Sequence, residues 1–147
     1  MGRLVSAIQT SNASKTAGAL IALTGILGVV ILAADSVLRA VPMHYYALIV
    51  FVIIDFATAG YLIMKPSKMA FTISVAWSAL RIVIQIADVS QGPVLGMGYA
   101  DFANYLFNPA SASGSNPMGV PAALIDLIMI LEVVVILVAW RARSAAK

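Results

Sequence analysis

An arginine stands near the middle of the apolar stretch Met69–Asp88, where a lipid-crossing segment can least tolerate an ionised side chain. On a 3.6-residue period Ser74, Ser78, Arg81, Gln85 and Asp88 share one side of a helix, while Phe71, Ile73, Leu80 and Ile84 cover much of the rest. A polar stripe of this kind inside a bilayer must face protein or water. Whatever else the chain forms therefore has to cover Arg81.

Composition places that helix in a membrane. Of 147 residues 62% are apolar and 10% charged, and the mean hydropathy is +1.00, outside the range of a soluble domain of this size. The absence of cysteine excludes disulfides, thiolate metal sites and thiol catalysis.

Four apolar runs predict four membrane helices in one domain spanning 1–147, over about 16–37, 45–64, 69–88 and 120–140. Ser14 is a candidate N-cap for the first. Gly18, Ala22, Gly25 and Gly28 give that span a flat side suited to close approach by another helix. Asp35 and Arg39 close it at i,i+4 spacing, and Pro42 and His44 occupy a short link to the second span. Pro66 helps end the second span, and the tight turn Lys65-Pro66-Ser67-Lys68 predicts that spans two and three form an antiparallel hairpin. The connection 89–119 is the longest. Within it Tyr99, Phe102, Ala103 and Leu106 predict a short interfacial helix, and the Ser-rich run 110–116 a loop. Pro121 suits a first helical turn of the last span.

Arg3, Lys15, Lys65, Lys68, Arg141, Arg143 and Lys147 fall on one side of this scheme and Arg39 on the other. Lys and Arg collect on the cytoplasmic side, so both termini are expected inside and the 89–119 connection outside, in a cell-membrane protein. The expected fold is an all-α, integral membrane four-helix bundle with a short outer interfacial helix.

Rise per residue then sets depth. From the inner cations Asp55 lies roughly 15 Å up, Glu132 about 14 Å, Arg81 about 20 Å and Asp126 about 22 Å. Each charge would cost about 2.5–3.5 kcal/mol at a helix centre facing lipid, which favours pairing Arg81 with one or two of these acids. Asp55 and Asp126 bracket it in depth. Glu132 and Asp126 are six residues apart on one helix, so they point in different directions and one must face something other than Arg81. Glu132 is the acid expected to stay unmatched.

The intramembrane cluster Arg81, Asp55, Asp126, Glu132 and Gln85 admits three readings: a register-fixing ion pair, a proton or ion pathway, or a docking point for a partner's cation. Other chemistries find little support. The single histidine, His44, lies at the outer interface with no second histidine to build a metal or haem site, and no nucleophile–base pair, phosphate loop or dinucleotide fingerprint occurs. Trp77 and the methionines read as packing and anchoring residues. No catalytic site, cofactor, metal or nucleic-acid partner is expected within the chain. The expected partners are membrane lipid and other integral membrane subunits. The function that follows is a non-catalytic accessory subunit of a larger membrane enzyme, of the respiratory oxidase or copper monooxygenase type. The alternative is a small homo-oligomeric transporter or proton channel using Asp55, Arg81, Asp126 and Glu132.

Overall fold

The computed structural model describes the backbone of residues 2–34, 42–90 and 119–145. All of it except the turn at 65–67 is helical: α1 (Gly2–Ala34), α2 (Pro42–Met64), α3 (Lys68–Ser90) and α4 (Gly119–Ala145). Three of these are long and apolar enough to cross a membrane, over Thr10–Ala34, His44–Met64 and Lys68–Ala87, which marks the chain as a membrane protein. The expectations for Asp35, Arg39, the side chain of Asp88, the helix around Tyr99–Phe107 and the loop 110–116 lie outside the described residues.

Two element boundaries differ from the expected ones for identifiable reasons. α1 begins at Gly2 instead of near Thr16, because residues 3–15 contain no proline and a helix once nucleated propagates through ordinary polar residues at little cost. Ser14 is consequently not a cap. It sits inside α1, fully buried, and its hydroxyl donates to the Leu62 carbonyl of α2, a bond between helices rather than within one. Pro42 and His44 are not in a linker: Pro42 is the first residue of α2, where its missing N–H would be unpaired in any case, and His44 lies in its first turn. The turn between α2 and α3 is as short as expected and is closed by its own hydrogen bonds. Lys65 N–H donates to Tyr61 O at 2.9 Å, while Ser67 caps α3 by accepting Ala70 N–H on its hydroxyl at 3.2 Å.

Side-chain contacts fix the helix directions. A Cβ placed on Gly18 would meet Ile63 and the Ala59 carbonyl, one on Gly25 would meet Phe56 and Asp55, and one on Gly28 would meet Val52 and Leu48. Ascending α1 thus follows descending α2, so the pair is antiparallel. Gly18, Gly25 and Gly28 are buried in this contact and Ala22 is half-buried beside it. α1 also packs along α4, and α4 along α3. The α2–α3 seam is much thinner than these three, so the circuit runs α2–α1–α4–α3. The short turn makes α2 and α3 successive without making them close partners.

One end of the interior is closed by an apolar cluster of Ala17, Ile21, Ala59, Leu62, Ala70, Phe71, Val135, Ala139 and Ala142. Phe71 belongs to this core, not to the outer face: its position, three residues before Ser74, puts it on the same seam as the polar stripe. Beyond the cluster the interior turns polar, burying Thr24, Asp55, Ser78, Arg81 and Glu132. The outside is the reverse. Ile26, Ile53, Val83, Ile86, Ile130 and Leu137 are exposed on four different helices, an inside-out distribution suited to lipid.

Gly18→Leu should lower the melting temperature of the detergent-solubilised protein, with overpacking against Ile63 and Ala59 costing roughly 1–3 kcal/mol. Gly60→Ala adds a methyl group that meets nothing within 4 Å, and should leave the melting temperature unchanged or slightly higher. Equal losses at both positions would show that α1 and α2 do not pack through this glycine face.

Candidate functional site

The buried charges come together between α2, α3 and α4. Asp55 and Glu132 are 0% exposed and Arg81 1% exposed, so none of the three exchanges its partner for bulk water without the helices moving. Arg81 Nη1 donates to Asp55 Oδ2. The other oxygen of Asp55, Oδ1, accepts the indole N–H of Trp77 at 2.7 Å. Both carboxylate oxygens of Asp55 are therefore occupied, one by a cation and one by a neutral donor.

Aromatic rings wall this pair. The Arg81 guanidinium carbon lies 5.5 Å from the centroid of the Phe51 ring, within cation–π range. Phe51 in turn meets Trp77 edge to face, with centroids 5.7 Å apart and an interplanar angle of 77°. Phe51 stands one turn before Asp55, and Trp77 one turn before Arg81. Each charged residue thus brings its own ring on the same helix face.

Glu132 is held differently. Its Oε1 lies 3.5 Å from Arg81 Nη1, an ion-pair distance, yet neither carboxyl oxygen has a hydrogen-bond partner. The hydroxyls of Ser78 and Thr24 stand beside it without completing one. Thr24 Oγ1 donates instead to Ile21 O of its own helix at 2.7 Å, as Ser74 Oγ does to Ala70 O at 2.9 Å. Ser78 Oγ, Arg81 Nε and Gln85 Oε1 are likewise buried without partners. Polar atoms left this way in an apolar interior are costly. The site is thus asymmetric: a saturated Asp55 side and an unsaturated Glu132 side share one guanidinium.

α1 reaches the site through its backbone. A Cβ at Gly25 would lie 3.3 Å from the Asp55 Cβ and 3.2 Å from Phe56 Cζ, so glycine lets the first helix close over the acid. Of the residues picked out by sequence, the structure brings together Arg81, Asp55 and Glu132, with Gln85 one turn further along the same stripe. It does not bring in Asp126. That residue, set beside Arg81 by depth alone, is half-buried and forms no ion pair among the described residues. Glu132, expected to be the unmatched acid, is the second acid on Arg81, although it lacks hydrogen bonds. Sequence reasoning treated Trp77 as packing and overlooked Thr24, Phe51 and the specific role of Gly25. Trp77 carried a usable signal, since an indole in mid-span, one turn from an arginine, needs a buried acceptor.

Among the described residues no three His, Asp or Glu side chains stand together to hold a metal ion. The fold and the site define a helical membrane protein organised on a buried arginine between two carboxyls. No protein-family model, curated protein or solved structure matches the chain.

Arg81→Leu strands two buried carboxyls without their cation and should destabilise the protein by about 3–5 kcal/mol. Trp77→Phe keeps the ring but removes the N–H on Asp55 and should cost about 1.5–3 kcal/mol. Asp126→Asn should have little effect. Thermal unfolding in detergent checks this order, and a loss at Asp126 as large as that at Arg81 would contradict the assignment of partners.

Proposed function

We propose that this chain is a four-span, cytoplasmic-termini bundle that serves as a non-catalytic accessory subunit of a larger membrane enzyme. The observation that carries the reading is the enclosure of the triad. Asp55, Arg81 and Glu132, at 0–1% exposure, face each other and not a surface or an opening, so their charge acts on helix placement. The surface it offers a neighbouring membrane subunit is its apolar exterior. α4 enters as the fourth span because its outward residues Leu127, Ile130, Val133, Val134 and Leu137 continue the lipid-facing belt of the other helices. The orientation is supported by Lys15, Lys65, Lys68, Arg141 and Arg143 lying at one end of the bundle. A partner subunit would pack on the exposed apolar faces through van der Waals contact, as membrane helices do.

A second reading, proton or ion transfer through a homo-oligomer, is favoured by one specific observation. Neither oxygen of Glu132 accepts a hydrogen bond, and Ser78, Ser74 and Thr58 are buried polar residues between it and the Lys65–Lys68 end. Such residues supply one half of a path.

Gentle solubilisation of native membranes followed by native electrophoresis and mass spectrometry should find the chain comigrating with larger integral membrane subunits. Migration as a lone monomer or homo-oligomer would overturn the accessory reading. In that event, protein in liposomes should show pH-driven proton flux that Glu132→Gln reduces at least tenfold, and an unaltered flux would remove the transfer reading as well.

A further inference from the structure

We propose that the Lys65–Arg143 end of the bundle is a binding surface for the phosphate headgroup of an anionic phospholipid. The cations that form it come from three separate stretches of chain, and one packing cluster holds them together. Ala13 and Ala17 of α1, Leu62 of α2, Ala70 of α3 and Ala142 of α4 meet in the same core, with Ser14 bonded to the Leu62 carbonyl. Lys15 follows Ser14, Lys65 and Lys68 lie between Leu62 and Ala70, and Arg141 and Arg143 flank Ala142. The residues of this cluster at the helix ends are mostly alanine, which brings the backbones, and hence the cations, near one another.

Among the described residues no acid answers these cations. Asp55, Asp126 and Glu132 are the carboxylates whose side chains are described, and all three lie further along the helices. Lys15, Lys65, Lys68 and Arg141 are exposed and none is ion-paired among the described residues. Arg143 stacks its guanidinium 5.3 Å from the Trp140 ring, and its buried Nε has no hydrogen-bond partner. A planar donor set held on an aromatic face at the end of the bundle suits a phosphate oxygen.

The surroundings separate a lipid from a free anion. Directly beside the cations the largest apolar side chains turn outward: Met64 is 79% exposed, Met69 67% and Trp140 56%. Met64 precedes Lys65 and Met69 follows Lys68, so charge and grease alternate along the rim of the bundle. Inorganic phosphate would use the cations and leave this apolar rim idle. A phospholipid uses both, its headgroup on Lys65, Lys68, Arg141 and Arg143 and its acyl chains against Met64, Met69 and Trp140. The proposal needs neither the accessory reading nor the orientation of the termini.

The test is thermal unfolding of the full chain in neutral detergent, titrated separately with phosphatidylglycerol, with phosphatidylcholine of the same acyl chains, and with inorganic phosphate. Phosphatidylglycerol should raise the melting temperature at concentrations at least tenfold below those at which phosphatidylcholine acts, and inorganic phosphate should not reproduce the shift. In the variant carrying Lys65→Gln, Lys68→Gln, Arg141→Gln and Arg143→Gln, that preference should vanish. If the variant fails to fold, wild-type protein in high salt provides the second measurement, and there the preference should also collapse. Equal shifts with the two lipids, a preference that survives neutralisation or salt, or full reproduction by inorganic phosphate would each overturn the proposal.

Discussion

The bond between Arg81 and Asp55 is the constraint on which the rest of the arrangement depends. A guanidinium in the middle of an apolar helix cannot shed its charge, so the structure must bring oxygen to it. Asp55 does so from α2 and Glu132 from α4. Once those two helices are drawn to α3, the first helix can join only if its backbone tolerates the acid at close range. Gly25, packed against Asp55, meets that condition. All four helices are thus positioned with reference to one cation, three by side chains and one by the absence of a side chain.

The two carboxyls are not equivalent, and the difference follows from what each helix places beside them. Asp55 receives a cation and an indole N–H, and Phe51 on its own helix faces the guanidinium. Glu132 has the remaining side of Arg81 and two hydroxyls that leave it unbonded: Thr24 bonds to its own helix, and Ser78 makes no hydrogen bond at all. A fully bonded carboxylate in an apolar setting is a fixed part of the structure, whereas one with open lone pairs retains chemistry. Structural and chemical roles are therefore divided between α2 and α4 and not shared by the triad as a whole.

Much of this was legible from the sequence. Apolar length located the four helices, and the 3.6-residue period placed Ser74, Ser78, Arg81 and Gln85 on one inner seam. The glycines of α1 announced a close contact, because small residues at that spacing have few other uses in a membrane helix. What sequence did not supply was azimuth. Rise per residue estimates the depth of Asp126 and Glu132, but which of them points at Arg81 depends on the order of helices around the bundle, and the thin α2–α3 seam is not implied by a short turn. Phe71 was misplaced for a related reason: hydrophobicity suggested lipid, while its register with Ser74 and Ser78 puts it inside. Trp77 was missed because indoles in membrane proteins usually mark the interface, and only the position of Asp55 reveals the bond it makes.

The packing order gives the triad a mechanical meaning that its residues alone do not. α1 lies broadly against α2 and α4, and α3 broadly against α4, while α2 and α3 meet along a narrow seam. Across that seam the described contacts include Arg81 to Asp55, Trp77 to Asp55 and the Phe51–Trp77 edge. Elsewhere the helices are joined mainly by area, through many small dispersion contacts that change little as the pieces shift, with Ser14–Leu62 and Arg81–Glu132 as added polar links. Here they are joined by a few polar contacts that lose most of their strength within an ångström or so of separation. The bundle is accordingly an open ring of well-packed helices closed by one charged clasp, and Glu132, bound to the same guanidinium from α4, is the residue that any change at the clasp would affect first.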